Sequence, residues 1–296
     1  MKYPRVSIIV LNWNNYKDTK ECIESLSGIT YPNYEIIVVD NGSVDGSTRK
    51  IQEEFSKLEY IYNKDNLGFA GGNNIGMRYA LNKGSDFIMI LNNDTTVKEN
   101  FLEPLVEDLT KNEKIGMAGP LIYYFYEPYK IFSDGEKLAF WRKNLKELLR
   151  GEKIRMIQGC CMLIKKEVIE KIGYFYEPYF LNWEEVDYCL QTNRAGYEVI
   201  CEHKSVIWHK VRTTLKKNPA SESYYFYRNR LLFTKRTAPF LFKYFFYAYY
   251  SLYLFYRFVR NYLEGEKNIA KSAKDALFDF WAGNFGKWNQ AEKIKL

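Results

Sequence analysis

Read from the N-terminus, the chain alternates short apolar runs that end in polar turns with longer segments whose apolar positions recur every three or four residues. "RVSIIVLNW" and "YEIIVVDNGS" are β-branched runs closed by polar turn residues, and "TKECIESLSG" between them has helical spacing and a closing glycine. Together they predict a β-α-β unit. "KLEYIYNKDN" predicts a third strand, "GGNNIGMRYALNKG" a helix with glycines at entry and exit, and "DFIMILNND" a fourth strand. Strands that are apolar on both faces and alternate with helices predict a parallel sheet covered on both sides. In such sheets ligands sit beyond the carboxyl ends of the strands. The polar clusters fall at those ends: Asn12, Asp40 to Ser43, and Asn92 to Thr95.

After Val97 the pattern predicts a helix to Asn112, an extended "KIGMAGPLIYY", and a charged, less regular stretch to about Lys153. "MIQGCCMLIKKEVIEKIG" reads as a strand feeding a helix, and "YFYEPYFLNWEEVDYCLQTNRAG" as an aromatic loop entering a helix that Gly196 stops. A short strand, "YEVICEH", leads to "KSVIWHK". "YFYEPY" occurs twice, from Tyr124 and from Tyr174, without a wider repeat around it. From about Tyr224 the texture changes. Between Pro239 and Tyr256, eleven of eighteen residues are Phe or Tyr, and Lys243 is the single charge. The uncharged run Tyr244 to Tyr256 is shorter than the roughly 20 residues of a spanning helix. On a helical wheel Arg236, Lys243, Arg257 and Arg260 form a basic stripe opposite the aromatic face, the pattern of a helix lying in a membrane interface. A helical hairpin packed on the protein or on a second subunit is the alternative.

Composition narrows the classes. A length of 296 residues with 47% hydrophobic content suffices for a large domain with an appendage. The net charge of +7, with signs well mixed, suits anionic ligands or a membrane surface and is no nucleic-acid signature. Five cysteines without CxxC spacing exclude a zinc ribbon and favour a reducing interior. The N-terminus carries no signal-peptide pattern, so the expectation is a cytoplasmic protein.

Four stretches carry candidate chemistry. In "VVDNGSVDGS", a carboxylate ending a buried strand costs desolvation energy unless it meets a donor, so Asp40 is poised for the N–H or O–H groups of a base or ribose. Local capping, the role expected of Ser43 and Asp45, is the competing reading. "NLGFAGGNNIG" lacks the lysine and hydroxyl of a Walker loop. Its glycines permit close backbone approach, and a helix starting there would present N–H groups to an anion. In "NND", Asp94 offers a hard oxygen to a divalent cation whose remaining coordination a diphosphate could supply. His209, after the apolar "VIW", is a second candidate ligand or a structural histidine. In "WEEVDYCL", Glu184, Glu185 and Asp187 crowd a helix start, where mutual repulsion can raise a pKa and create a base, or where they simply complement the helix dipole.

In this order and at these distances, "VSIIVLNWNN", "VVDNGSVDGS", "NLGFAGGNNIGMRYA", "ILNNDTTV", "GCCMLIKKEVIEKIG", "FLNWEEVDYCLQTNRAG" and "IWHK" resemble the family 2 glycosyltransferases, in the subgroup of rhamnosyl- and galactofuranosyl-transferases. The similarity covers about residues 4 to 235. It implies an α/β chain of GT-A fold, with a mostly parallel Rossmann-like sheet flanked by helices and a C-terminal aromatic-rich helical appendage. The implied division is a catalytic domain over residues 1–223, with a nucleotide-sugar half to about 97 and an acceptor half beyond it, followed by a helical region over 224–296. The implied activity is inverting transfer from a nucleotide-diphosphate sugar, UDP- or dTDP-linked, to a hydroxyl of a glycan or lipid-linked saccharide, with a divalent cation, Mn2+ or Mg2+. By motif, Asn12 and Asp40 would hold base and ribose, Asn66 with Gly71 and Gly72 would line the donor pocket, and Leu11, Asn92 and Asn93 complete the nucleotide-sugar set. "NND" stands for the family's DxD motif. Asn92 replaces its first aspartate, so Asp94 would carry the metal with His209, the family's late histidine. Glu185 maps to the catalytic base, a glutamate where the family has aspartate, with Glu184 and Asp187 as substitutes.

The expectation is an enzyme working peripherally on the inner face of a membrane. Two other classes compete. A sugar-phosphate nucleotidyltransferase would want a basic glycine-rich loop near the first strand, which "VLNWNNYKD" does not provide. A degenerate nucleotide-sugar-binding scaffold is suggested by the missing first acid of the DxD motif and by the aromatic tail.

Overall fold

A computed structural model describes residues 3–135, 156–211 and 219–289. The charged stretch expected to run to Lys153 falls largely outside them. The described residues divide into two compact units. One holds 3–135, 156–175 and 188–211, the other 176–187 and 219–289. The expected boundary near residue 223 assigned 176–187 to the first domain. By packing they go with the C-terminal helices.

The first unit is built on a nine-stranded sheet in the order β3-β2-β1-β4-β8-β6-β9-β5, with β7 paired to β6. Its first half is the predicted one: β1 (Val6–Asn12), α1 (Tyr16–Leu26), β2 (Tyr34–Asp40), α2 (Ser47–Glu54), β3 (Glu59–Tyr62), α3 (Gly68–Asn82) and β4 (Phe87–Asn92), all four strands parallel. The second half comprises β5 (Thr95–Val97), α4 (Leu102–Lys111), β6 (Ile115–Tyr124), β7 (Glu127–Ser133), β8 (Cys161–Lys165), α5 (Lys166–Ile172) and β9 (Glu198–His209). It is mixed: β8 runs antiparallel to β4 and β6, and β5 antiparallel to β9, while β6 and β9 are parallel. The strand β7 lies where the sequence suggested irregular chain. The expected short "YEVICEH" strand is the front half of a twelve-residue β9 that carries His209 at its end.

Alternation explains the coverage. On β1, Val6, Ile8 and Val10 join a core with Cys22, Ile23 and Leu26 of α1 and Leu102, Leu105 and Leu109 of α4. Ile9 points the other way, beneath α3, where a Cβ on Gly76 would lie 2.7 Å from its Cγ2. Both faces being buried, the strand ends are where polar side chains can emerge.

The second unit contains α7 (Pro219–Thr237), α8 (Phe240–Leu263) and α9 (Lys267–Ala282), together with a 3-10 turn, Glu177–Tyr179, and the first residues of α6 (Glu184–Arg194). Pro239 begins α8, so Arg236 belongs to the preceding helix and the expected four-residue basic stripe does not exist. Arg236 pairs with Asp187, and Arg257 donates to Tyr253 Oη at 3.3 Å and lies over the Tyr227 ring. Among the described residues no helix is long and apolar enough to cross a membrane.

Candidate active site

Strand pairing aligns the carboxyl edge: Asn12 is level with Asp40, Leu11 with Asn92, and Asp40 with Tyr62. Asn12 is fully buried and its amide is engaged within the protein. Nδ2 donates to Thr48 Oγ1 (2.7 Å) and Ser47 Oγ (3.0 Å), and Oδ1 accepts from Thr19 Oγ1 (2.8 Å). These bonds fix the Asn12 side chain at the strand edge. Asp40 is buried with Oδ1 accepting the Ser43 N–H at 3.0 Å, a turn in the loop ahead of α2 rather than a cap, since α2 starts behind Gly46 without a side-chain cap.

Asn41, which the sequence presented only as a turn former, ties β2 to the following loop. Its Nδ2 donates to Asn66 Oδ1 and the Gly68 carbonyl, both at 3.0 Å, and its Oδ1 accepts from Leu67 N (3.1 Å) and Asn63 Nδ2 (3.2 Å). Asn66 Oδ1 also accepts the Gly68 N–H at 2.8 Å and so sets the start of α3. Gly42 has φ +76°, and a Cβ there would lie 2.7 Å from the Asp65 backbone carbon. Gly71 and Gly72 lie inside α3 rather than ahead of it. A Cβ on Gly72 would stand 2.6 Å from Leu11 Cδ1, and one on Gly71 2.9 Å from Leu67 Cβ. Within the protein, the close approach these two glycines permit is of helix to strand and of helix to its own entry.

Asp94 follows β4 in the tight turn to β5. The antiparallel β5–β9 ladder sets Thr95 opposite His209 and so brings His209 Nε2 to 3.1 Å from Asp94 Oδ1, across 115 residues of sequence. Both are buried. Burial resists charging the ring, but the neighbouring Cys160 and the Asp94 carboxylate outweigh it and raise the imidazole pKa to about 10. The Asp94 carbonyl accepts the Lys210 N–H at 3.0 Å. Lys210 is itself buried, its ammonium donating to Glu21 (2.6 Å) and to Asp18 and lying 5.0 Å from the Phe125 ring centre. Of the neighbouring asparagines, Asn93 Nδ2 donates to Thr19 Oγ1 at 2.7 Å, and the Asn92 carbonyl accepts from Thr95 Oγ1 at 2.6 Å.

Among the described residues no three His, Cys, Asp or Glu side chains gather as a metal cluster. The Asp94–His209 pair nonetheless fits a cation that displaces the imidazole proton and whose other ligands come from a diphosphate. An oxygen and a nitrogen 3.1 Å apart match neighbouring corners of an octahedron with bonds of about 2.1 Å. His209 Nδ1 is buried without a hydrogen-bond partner, so ring contacts such as that with Phe132, centroids 5.6 Å apart, orient the imidazole.

In the second unit the three carboxylates have diverged. Glu184 is fully buried, and burial, reinforced by the Glu185 charge, holds its pKa well above the ordinary range. Asp187 Oδ2 accepts from Arg236 Nε at 2.7 Å. Glu185 alone is half-buried. The segment that delivers them is strained. Phe180 (φ 65°, ψ −55°) sits in a γ-turn closed by the Leu181 N–H to the Tyr179 carbonyl at 2.7 Å, and Asn182 and Trp183 also have positive φ, 66° and 79°.

Two residues of α7, invisible to motif reading, hold this segment. Asn229 Nδ2 donates to the carbonyls of Tyr179 (2.8 Å), Leu181 (2.7 Å) and Asn182 (2.9 Å). The fully buried Arg228 donates to the Pro178, Tyr179 and Gly286 carbonyls and to Asn229 Oδ1. A buried Arg-Asn pair facing a carbonyl-rich loop is chemically sensible, but "YRNR" on a helix carries no signal for which loop it will meet.

The sequence profile described as "Glycosyl transferase family 2" matches residues 7–173. The "Low-salt glycan biosynthesis hexosyltransferase Agl10" of Haloferax volcanii is 27% identical over 235 residues, covering 77% of this chain and 74% of that protein. The "dTDP-rhamnosyl transferase RfbF" of Shigella flexneri is 27% identical over 176 residues, 55% of each chain. Among solved structures, the mannosyltransferase PcManGT of Pyrobaculum calidifontis, in complex with GDP-Man and Mn2+, superposes with TM-score 0.58 at 17% identity, covering 99% of this chain and 79% of that one. At that identity the likeness establishes a shared fold.

Proposed function

The chain belongs to glycosyl transferase family 2, and on that footing we propose that it is an inverting, metal-dependent transferase moving a sugar from a UDP- or dTDP-linked donor to a hydroxyl of a glycan or lipid-linked saccharide. Rhamnose is the first candidate sugar. The observation that carries the reading is the meeting of Asp94 and His209 at the end of β4, two donor atoms 3.1 Å apart at the strand edge where such sheets bind ligands. A divalent cation bound there would neutralise charge on the departing diphosphate. The rest falls to the chain's own groups. Asp40, at the end of β2, accepts donor hydroxyls or N–H groups with the oxygen that Ser43 leaves available. Glu185 takes the proton of the acceptor hydroxyl as that oxygen attacks the anomeric carbon from the face opposite the leaving group. Glu184, holding its own proton, adds no second negative charge beside that base. The reaction takes place peripherally at the inner face of a membrane, where a lipid-linked acceptor is presented.

The experiment is a panel of UDP-, dTDP- and GDP-sugars incubated with a lipid-linked saccharide, with and without Mn2+. Metal-dependent nucleotide release with inverted anomeric configuration in the product is the expected result. Retained configuration, or release indifferent to metal and abolished by neither Asp94→Asn nor chelator, would sink the reading.

A further inference from the structure

The helix α8 packs through Phe246, Tyr250, Leu254 and Asn261, and its opposite side is open. At 100° per residue the open side spans an arc of roughly 140°. It presents Leu241, Phe245, Tyr249, Leu252, Phe255 and Tyr256, with Phe245 77% and Leu252 71% exposed, and no acidic residue. A helix that buries one face and leaves the other this apolar in water has an occupant for it.

The neighbouring helix identifies the occupant. On α9 the exposed positions Lys267, Lys271, Lys274, Phe278 and Trp281 fall on one stripe, because they are spaced by three and four residues. The Trp281 ring lies 5.6 Å from Tyr247, which lies 6.4 Å from the exposed Tyr244 of α8, so the two surfaces are continuous. Aliphatic and Phe side chains centred among Tyr and Trp, bordered by lysines, match the layering of a bilayer interface: acyl chains, headgroup boundary, anionic phosphate. A second copy of the chain is a poorer fit, since in an isologous pairing the same face meets itself, and the open side of α8, with no acidic residue, offers the lysines no counter-charge.

We propose that the open face of α8, continued by the lysine and aromatic stripe of α9, docks the protein on an anionic lipid leaflet. This deepens the reading that the acceptor is lipid-linked and rests on that reading for its purpose. Docking is by insertion of α8 side chains into the headgroup boundary, with Lys267, Lys271 and Lys274 reading the negative surface. The lysines that do this replace the stripe expected from the sequence, two of whose members, Arg236 and Arg257, are engaged inside the helical unit.

The test is sedimentation of the full chain with vesicles of phosphatidylcholine alone or mixed with phosphatidylglycerol, read without donor or acceptor. Binding to the anionic vesicles and little to the neutral ones is expected. The K267Q/K271Q/K274Q triple variant should bind about a hundredfold more weakly, and F245E/L252E should not bind, both with wild-type melting temperatures because the altered side chains are exposed. Wild-type protein that ignores anionic vesicles, or variants that bind as it does, would overturn the proposal. So would a wild-type dimer in light scattering that F245E/L252E converts to a monomer, which would give this face to a second copy. Vesicle binding without sugar transfer would instead count against the enzymatic reading and leave the docking face standing.

Discussion

Arg236 Nε and Asp187 Oδ2 lie 2.7 Å apart, forming an ion pair whose carboxylate side chain is only 4% exposed. The pair separates the environments of three neighbouring acids. Asp187 is matched by a cation, which also lies 3.7 Å from the Tyr176 ring centre, and burial raises the Glu184 pKa well above the ordinary carboxylate range. Glu185, half-buried, is the acid we propose as the base.

Glu185→Gln should therefore lose transfer by about 10²- to 10⁴-fold while nucleotide affinity stays at the wild-type level. Turnover assays paired with a nucleotide titration check both halves. Unchanged turnover would move the base to Glu184 or Asp187.

Glu184 gives a pH signature of the opposite kind. Its folded-state pKa is raised above the unfolded value, so its favourable contribution is complete below the unfolded pKa and is lost as pH rises through the folded one. Glu184→Gln removes that liability. The variant should melt at or above the wild-type temperature at pH 8, and the gap should close towards pH 4. A gap that widens on acidification contradicts the assignment.

Asn229 supplies the N–H groups for three carbonyls of the strained segment before α6. Asn229→Asp replaces that donor amide with a carboxylate, so each carbonyl faces an acceptor. The Tyr179 carbonyl keeps the Arg228 N–H, so two carbonyls lose their donor, and at about 1–3 kcal/mol apiece the expected loss of stability is about 2–6 kcal/mol, measured by denaturant unfolding. Because the segment positions Glu185, kcat should fall further than donor affinity.

Gly72 tests what the glycines of α3 are for. A Cβ there meets Leu11 Cδ1 at 2.6 Å, so Gly72→Ala should cost about 1–3 kcal/mol of stability as helix and strand are forced apart. A wild-type melting temperature combined with weakened donor binding would show that the glycine faces a ligand after all.

Much of the first half of the fold was legible because its signals are local. In parallel strands buried on both sides nearly every position must be apolar, and the first polar residue marks the edge, so Asn12, Asp40 and Asn92 could be placed by pattern alone. The glycine loop was legible as a place of close approach but not as to what approaches, since a missing Cβ reads the same in sequence whether a phosphate or Leu11 fills the space. "YFYEPY" shows the limit best. In its first copy Tyr129 lies on β7, 96% exposed, while in the second the corresponding Tyr179 is fully buried beneath the Arg228-Asn229 clamp. Identical hexapeptides adopt different structures because what surrounds them differs.

The sequence by itself determined the strand and helix periods, the polar strand ends and the ordered motifs of the family, all of which depend on residues within a few positions of one another. Only the tertiary structure decided that β5 and β9 pair so as to carry His209 to Asp94, and that Arg236 would hold Asp187. It also decided that the lysines beside the aromatic face lie on α9. Each of these is a contact between segments distant in the chain. Its energy comes from burial and charge pairing in three dimensions, and local pattern does not encode which distant partner a residue will meet.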